Sequence, residues 1–484
     1  MSGEVLLGLI MLVVLIGVIF VGFPISFTML FLAFTLGYFG IGKTVFDLAY
    51  FQTIGMMKEE LLAAVPLFIF MGFLTEQAGL MERLFRAFRD LLAPIRGSLY
   101  AVVILTATVF AMATGIVGAA VTVLGIMASP MMIKAGYDGK LSAGAITAGG
   151  TLGILIPPSV MLIVMGPVLG VSVGELYSAA FGPGFLLAGL YLVYLLGRAF
   201  MNPRLGPPVP VDERVHSMGA LIWEVIVGVV PLFVLIAAAL GSILAGLATP
   251  TEAAAVGALG AMFLAAAYGK LTYAGVRRAV LSTTATSSMV LLLAVTSNIF
   301  GAVFSRLGTA NWLTETMLAL PFSPVVMLIV VIIVIFLLGW PFEWPAIVLV
   351  FLPIFYPVVD ALKPAIGASL GIPTDMVLVW FGALVAVTLQ TAFLSPPVAM
   401  SAYYLKQVVK EWSLATIYKG MFEFMVLQCI AIALLVIFPS IATWFPDYIR
   451  REAAGIKMER IDDSKNRLEE DPFELFRRQS QPRN

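Results

Sequence analysis

Two segments of this chain combine prolines, glycines and hydroxyl side chains in a pattern that prepares oxygen atoms for a hard cation. The first runs Gly149-Gly150-Thr151-Leu152-Gly153-Ile154-Leu155-Ile156-Pro157-Pro158-Ser159, the second Gln390-Thr391-Ala392-Phe393-Leu394-Ser395-Pro396-Pro397-Val398. A double proline removes two N–H donors from a helix, and the glycines at 149, 150 and 153 let the backbone open toward a ligand. Freed carbonyls with Thr and Ser hydroxyls make a hard oxygen site suited to Na⁺. The second segment would supply Gln390, Thr391, Ser395 and the backbone before Pro396. The structural alternative is a proline kink with small residues for close helix packing.

Glu343 is the ionisable residue with most chemical promise. It sits in Gly339-Trp340-Pro341-Phe342-Glu343-Trp344-Pro345, inside an otherwise apolar stretch. At membrane depth such a carboxylate could complete a cation site or carry a coupling proton. At the interface it would be an ordinary solvated Glu within a Trp belt. Glu252 follows Thr249-Pro250-Thr251 at a helix start, where capping explains it.

Other chemistry is excluded by what is scarce. The chain has one Cys, Cys429, and one His, His216, the first in an apolar run that suggests inert packing and the second in a polar linker. Cys/His metal sites, disulfides, thiol nucleophiles and histidine proton relays are therefore not expected. An intramembrane enzyme would need a nucleophile with its base or paired catalytic carboxylates, and no such constellation occurs. Lys+Arg and Asp+Glu number 28 each, which gives no sign of a nucleic-acid partner.

The elements that must position these residues are membrane helices. Hydrophobic residues make up 61% of the 484 and charged ones 12%, with mean hydropathy +1.03, against roughly a quarter charged in soluble domains. Many apolar runs between Val5 and Trp444 reach the roughly 18 residues a bilayer crossing needs. The run opening at Val5 lacks a basic n-region and reads as a retained helix. Asn202 to Ser217 is the most hydrophilic interior stretch, and its prolines make it a linker.

The same landmarks recur in order on both sides of this linker. Gly22-Phe23-Pro24 and Leu155-Ile156-Pro157-Pro158 in the first half match Ala248-Thr249-Pro250 and Leu394-Ser395-Pro396-Pro397 in the second, as an internal repeat requires. Each half also holds an interrupted apolar stretch. Ser98 to Ile133 breaks at Thr114-Gly115-Ile116-Val117-Gly118, and Val325 to Val359 breaks at Gly339 to Pro345. Arms of about 14 to 16 residues predict re-entrant hairpins with tips at membrane depth; two ordinary spans joined by a buried turn are the alternative.

With about five crossings and one hairpin per half, the halves have opposite topology. An outside N-terminus then gathers Arg83, Arg86, Arg89, Arg96, Lys134, Lys140, Arg198, Arg204, Arg214, Lys270, Arg277, Arg278, Lys406 and Lys410 in the cytoplasm. Arg450 and Arg451 are the exception, since residues directly after the last span would prefer that side. Arg83 to Arg96 reads as an amphipathic interfacial helix with Leu84, Phe85, Phe88, Leu91 and Leu92 on its apolar face. The tail from Asp447 reads as a disordered end or a partner-binding segment.

Pro250-Thr251-Glu252-Ala253-Ala254-Ala255, Lys134-Ala135-Gly136-Tyr137-Asp138 and Gly153-Ile154-Leu155-Ile156-Pro157-Pro158-Ser159 together resemble the large membrane subunit of tripartite ATP-independent periplasmic (TRAP) transporters over roughly residues 5 to 445. The resemblance implies an all-α polytopic fold of two inverted repeats, working as an elevator in the bacterial inner membrane. It implies Na⁺ as coupling ion and no other cofactor. A small four-helix membrane subunit, a periplasmic substrate-binding protein and a small carboxylate substrate are the implied partners.

Carried onto this sequence, residues 1–97 and 217–320 would be scaffold, 98–172 and 321–412 the transport hairpins with their broken helices, 173–216 the connecting helix and linker, 413–446 the last helix and 447–484 the tail. Substrate would meet Thr114, Gly115, Gly118, Trp340, Glu343 and Ser395. Na⁺ would meet Thr114, Gly149, Thr151, Gly153, Gly339, Glu343, Gln390, Thr391 and Ser395. Many members are serine-rich at the first tip, whereas this chain reads Ala113-Thr114-Gly115-Ile116-Val117-Gly118-Ala119, so its first site would lean on backbone carbonyls and Thr114. That tip, with Gly197-Arg198-Ala199 and Asn202-Pro203-Arg204, looks like the branch labelled mannitol/chloroaromatic, which is associated with 2-oxo and related acids. A stand-alone proton- or Na⁺-coupled anion carrier of related fold is the alternative.

Overall fold

The computed structural model describes residues 2–208, 218–396 and 399–453. His216, Pro397, Val398 and the tail beyond 453 lie outside the described residues. Among those described, every regular element is helical, and ten helices are long and apolar enough to cross a membrane. The chain is thus a polytopic α-helical membrane protein.

The first half opens with α1 (Gly3–Phe20) and α2 (Ile25–Ile41), followed by α3 (Thr44–Met57), α4 (Ala64–Gln77) and α5 (Leu80–Leu92). Next come a hairpin of α6 (Ser98–Thr114) and α7 (Val117–Lys134), a broken helix of α8 (Gly139–Thr151) and α9 (Val160–Leu169), and the long α10 (Val173–Met201). The second half repeats this order with α11 (Met218–Leu244), α12 (Pro250–Ala267), α13 (Tyr273–Arg306) and α14 (Thr309–Leu318). Its hairpin joins α15 (Pro324–Leu338) to an arm made of α16 (Trp344–Ala346), a π-turn (Ile347–Phe351) and α17 (Leu352–Leu370). The second broken helix is α18 (Val377–Leu394) and α19 (Met400–Val408), and α20 (Leu414–Ile437) and α21 (Ser440–Ala453) end the described chain.

Packing follows the repeat. α4 lies against α12, and its counterpart α13 lies against α2; likewise α8 packs on α20 and α18 on α10. Each pair maps onto the other when the halves are exchanged, as a two-fold repeat demands. α6, α8, α9 and α18 occupy the interior: every residue of α18 is buried, while α1 and α2 expose Phe20, Phe27, Phe31 and Phe39 at their surface and α15 exposes Val326 and Ile333. Helices apolar on all sides, as α15 is, can be outermost only when the solvent is lipid.

The loops expected to share one side do meet. Gly97 N–H donates to Gly206 O (2.9 Å), Asp138 N–H to Leu205 O (3.1 Å) and Tyr100 Oη to Leu205 O (2.7 Å), so the loops around Arg96, Lys134 and Arg204 are knitted together. At the other end, Arg450 on α21 pairs with Glu175 (2.6 Å) and Asp375, and Arg451 with Asp447 (2.9 Å). The two arginines that would prefer the cytoplasm are thus paired with carboxylates at the opposite end.

Several expectations shift in detail. The second hairpin's outer arm continues to Leu370 rather than stopping near Val359. The boundary expected at 447 falls inside α21. α5 braces α11 and α6, burying Leu84 and Phe85, with Arg83 4.5 Å over the Tyr268 ring; Leu91 stays exposed. Cys429 is not packed inside but exposed, because the buried stripe of α20 runs through Met421, Phe424, Gln428, Ala431 and Leu435 and residue 429 falls beside it. Glu252 closes a capping box with Thr249, as its position suggested.

Candidate functional site

The prolines decide which carbonyls lose their helical partners. In an α-helix the carbonyl of residue i is paired by the N–H of residue i+4, so Pro157 and Pro158 leave Gly153 and Ile154 without one. Ser159 Oγ donates to the Ile154 carbonyl and takes its place. The Gly153 carbonyl faces the first hairpin tip: a Cβ on Gly115 would lie 3.7 Å from both Gly153 O and Pro158 O. Gly115 has φ +60° and ends α6 in the left-handed region, with its N–H donating to Ala111 O. Glycine at this point supplies both the turn and the close backbone approach.

The second break follows the same rule. Pro396 has no N–H for the Ala392 carbonyl, and Ala392 touches the second tip, where a Cβ on Gly339 would meet its Cβ at 3.1 Å. One turn before the break, Gln390 is fully buried, and neither its amide oxygen nor its amide nitrogen has a partner among the described residues. An amide of this kind in a dry interior is uncommon, because each unmade hydrogen bond costs about 1–3 kcal/mol.

The four predicted hydroxyls point their protons backward. Thr114 donates to Phe110 O (3.2 Å), Thr151 to Ala148 O (2.8 Å), Thr391 to Thr388 O (2.6 Å) and Ser395 to Thr391 O (2.7 Å). A hydroxyl that donates into its own helix keeps oxygen lone pairs for a cation, hydroxyl or water.

Both tips open on one cavity of about 210 Å³. Gly115 and Gly118 line it from the first tip, Glu343 and Trp344 from the second, Ile154 and Tyr404 from the broken helices, and Thr286 and Met289 from α13. The Tyr404 ring lies 3.0 Å from where a Gly118 Cβ would be. Among the described residues no hydrogen bond or ion pair engages the Glu343 carboxylate. Glu343 is exposed, and it borders the space that the two tips share. Of the residues predicted to meet substrate, Gly115, Gly118 and Glu343 line this space. Thr114, Trp340 and Ser395 do not; Trp340 packs edge-on against Phe336, and Trp344 is the tryptophan that faces inward.

Three contributors were not anticipated: Tyr404, Thr286 and Ser297. Ser297 on α13 donates to the carbonyl of Leu349 in the π-turn, which Pro353, four residues on, cannot pair. The sequence signal was present in that proline, but not the identity of the donor. A second space, of about 510 Å³, lies beside this contact and is lined by Gln52, Asn298, Ser305 and Asn311.

Comparison with known proteins agrees with this architecture. The model of the DctM component of the tripartite ATP-independent periplasmic transporters matches residues 12–441. The chain is 29% identical to the sialic acid TRAP transporter large permease protein SiaM of Vibrio cholerae, over 89% of this chain and 96% of that one. It is also 29% identical to the C4-dicarboxylate TRAP transporter large permease protein DctM of Rhodobacter capsulatus (85% and 91% covered), and 26% identical to the ectoine TRAP transporter large permease protein TeaC of Halomonas elongata (90% and 98%). Among solved structures, the Alcanivorax borkumensis YdaH transporter shares the fold at TM-score 0.58 and 16% identity, covering 84% of this chain and 90% of its own. With mirrored hairpins, mirrored helix breaks and a family match across nearly the whole length, the chain belongs to the DctM component family of the TRAP transporters: it is a transport subunit of the bacterial inner membrane, and not an enzyme.

Proposed function

We propose that this chain imports a small organic acid anion, of the 2-oxo or related carboxylate class, together with Na⁺, receiving it from a periplasmic binding protein and working with a small four-helix membrane subunit. The convergence of both hairpin tips and both proline-broken helices on one cavity is the observation that carries this reading. Na⁺ suits the donors present, which are backbone carbonyls, hydroxyl lone pairs and the unpaired Gln390 amide oxygen. One site would form between Gly115 and the Gly153 and Pro158 carbonyls, the other between Gly339 and the end of α18.

In this scheme α1–α5 and α11–α14 form a scaffold, and the hairpins with their broken helices move against it. Residues of α13 then serve as a wall along which the tips travel, with Thr286 and Met289 on one cavity and Asn298 and Ser305 on the other.

The test is uptake of labelled 2-oxo acids and C4-dicarboxylates into proteoliposomes that hold this chain with its small subunit. Uptake that needs both the binding protein and an inward Na⁺ gradient is the expected result; uptake with neither would refute it. A proton-coupled variant is favoured by one feature, the unpartnered Glu343 carboxylate at the cavity. It would show as uptake that persists without Na⁺, collapses with the pH gradient and is lost in Glu343→Gln.

A further inference from the structure

One stripe of α13 faces both cavities. Thr286 and Val290 line the space at the hairpin tips, and Ala294, Ser297, Gly301 and Ser305 continue in three- and four-residue steps along the larger space of about 510 Å³. Residues so spaced share one face of a helix. The opposite wall is continuous as well. The second hairpin's arm gives Trp344 to the first space and Leu349, Pro353 and Pro357 to the second; the first broken helix gives Ile154 and Val160, then Pro167 and Val168. The two spaces are thus successive stations on one seam, roughly 12 residues or about 18 Å apart along α13. α8 leaves the Lys134–Asp138 loop and α9 ends beside the larger space, which therefore lies at the end of the molecule away from the basic loops.

The walls of the larger space differ in kind. Its polar side chains all come from one side: Gln52 on α3, Glu59 just after it, Ser297, Asn298 and Ser305 on α13, and Asn311 on α14. Facing them are Val168, Leu349, Pro353, Ile354 and Pro357, which offer no polar side-chain atom. Ser297 is committed to the Leu349 carbonyl. Among the described residues no hydrogen bond engages the side chains of Gln52, Asn298 or Asn311. Carboxamides that converge on a space with an apolar wall opposite must find their partners in whatever fills it. A space with a few convergent polar groups and an apolar remainder is the usual form of a small-molecule site, for which roughly 300–1,000 Å³ is typical.

Charge narrows the ligand. Among the described residues neither space is lined by Lys or Arg, and each carries one carboxylate, Glu59 in the larger and Glu343 in the smaller. Carboxamide N–H groups donate to a carboxylate or oxo oxygen without neutralising it. A second carboxylate on the ligand would meet Glu59 with no cation in the lining to offset the repulsion.

We infer that Gln52, Asn298 and Asn311 form a second binding station for the transported acid, apart from the tips, and that through Glu59 it takes monocarboxylates in preference to dicarboxylates. This names the substrate class within the organic-anion reading above and rests on that reading.

The test reads occupancy with a cysteine at the rim. With Cys429 replaced by Ala, Ser305→Cys is labelled by a membrane-impermeant maleimide in proteoliposomes holding the chain and its small subunit, at constant NaCl. The probes are 2-oxobutanoate and succinate, acids of equal carbon number with one and two carboxylates. 2-Oxobutanoate should slow labelling about threefold or more, and succinate should need about fivefold higher concentration for the same effect. Asn298→Leu keeps the volume and removes the amide, and should raise the half-protecting concentration of 2-oxobutanoate about five- to tenfold. Gln52→Met serves should that variant fold poorly. Glu59→Gln should bring succinate within about twofold of 2-oxobutanoate.

No protection by 2-oxobutanoate while its uptake proceeds would overturn the station and leave the import reading intact. Protection that survives Asn298→Leu and Gln52→Met but vanishes in Gly115→Ala would report a movement started at the tips, and would overturn it too. Equal protection by both acids with Glu59 in place would overturn the preference for monocarboxylates. Neither uptake nor protection with either acid would remove the organic-anion reading, and this inference with it.

Discussion

Gly115 and Gln390 separate function from stability at the level of single residues. An Ala at 115 would adopt φ +60°, which costs about 1–2 kcal/mol, and would put a methyl group 3.7 Å from the two carbonyls that face the tip. Uptake by Gly115→Ala should fall at least tenfold, while its melting temperature drops by only a few degrees. Gln390→Leu makes the opposite case on stability. Replacing a buried, unpaired amide by an apolar group of similar volume removes an unmet cost. The variant should melt at or above the wild-type temperature and yet lose uptake. Melting lower with uptake retained would show that Gln390 has buried partners and a structural role.

At the scale of elements, prolines set where helices stop and what must replace the missing donors. Ala at both 157 and 158 returns N–H groups to the Gly153 and Ile154 carbonyls and lets α8 run on toward α9. Pro157→Ala/Pro158→Ala should assemble normally and transport at least tenfold more slowly; undiminished uptake would count against a site at this break. Ser297 makes a matched pair with the π-turn. Ser297→Ala leaves the Leu349 carbonyl buried and unpaired, whereas Ser297→Thr keeps a hydroxyl there. Uptake rates within twofold of wild type for Thr, but changed severalfold for Ala, would place this bond on the transport cycle. Equal rates for both would make it incidental.

The whole molecule is organised by a two-fold exchange of its halves, visible in the matched packing of α4 on α12 and α13 on α2. If the halves are inverted in the membrane, the turn before α8 and the turn before α15 lie on opposite faces. With the exposed Cys429 replaced by Ala, Lys140→Cys should react with a membrane-impermeant maleimide only in inside-out vesicles, and Ser323→Cys only in right-side-out ones. Labelling of both from one face would overturn the inverted topology. The Arg450 pairs with Glu175 and Asp375 fit α21 on the Ser323 side.

Solvent class, helix breaks, hairpin positions and repeat order were legible in the amino-acid sequence, because each depends on properties local to the chain. Hydropathy selects lipid as solvent, and a proline's missing N–H names the carbonyl four residues earlier that loses its partner. Glu252 was readable as a cap for the same reason. What lies across an interface was not. Trp344 rather than Trp340 faces the cavity because each residue turns a helix by about 100°, and the turn after Gly339 resets that phase. Cys429 faces outward although its surroundings are apolar, since lipid tolerates what water would not. Tyr191 of α10 reaches Gln428 of α20, 237 residues away, because the two helices pack against each other. Covalent chemistry thus placed the breaks, and only the close approach of helices decided which side chains would hold them.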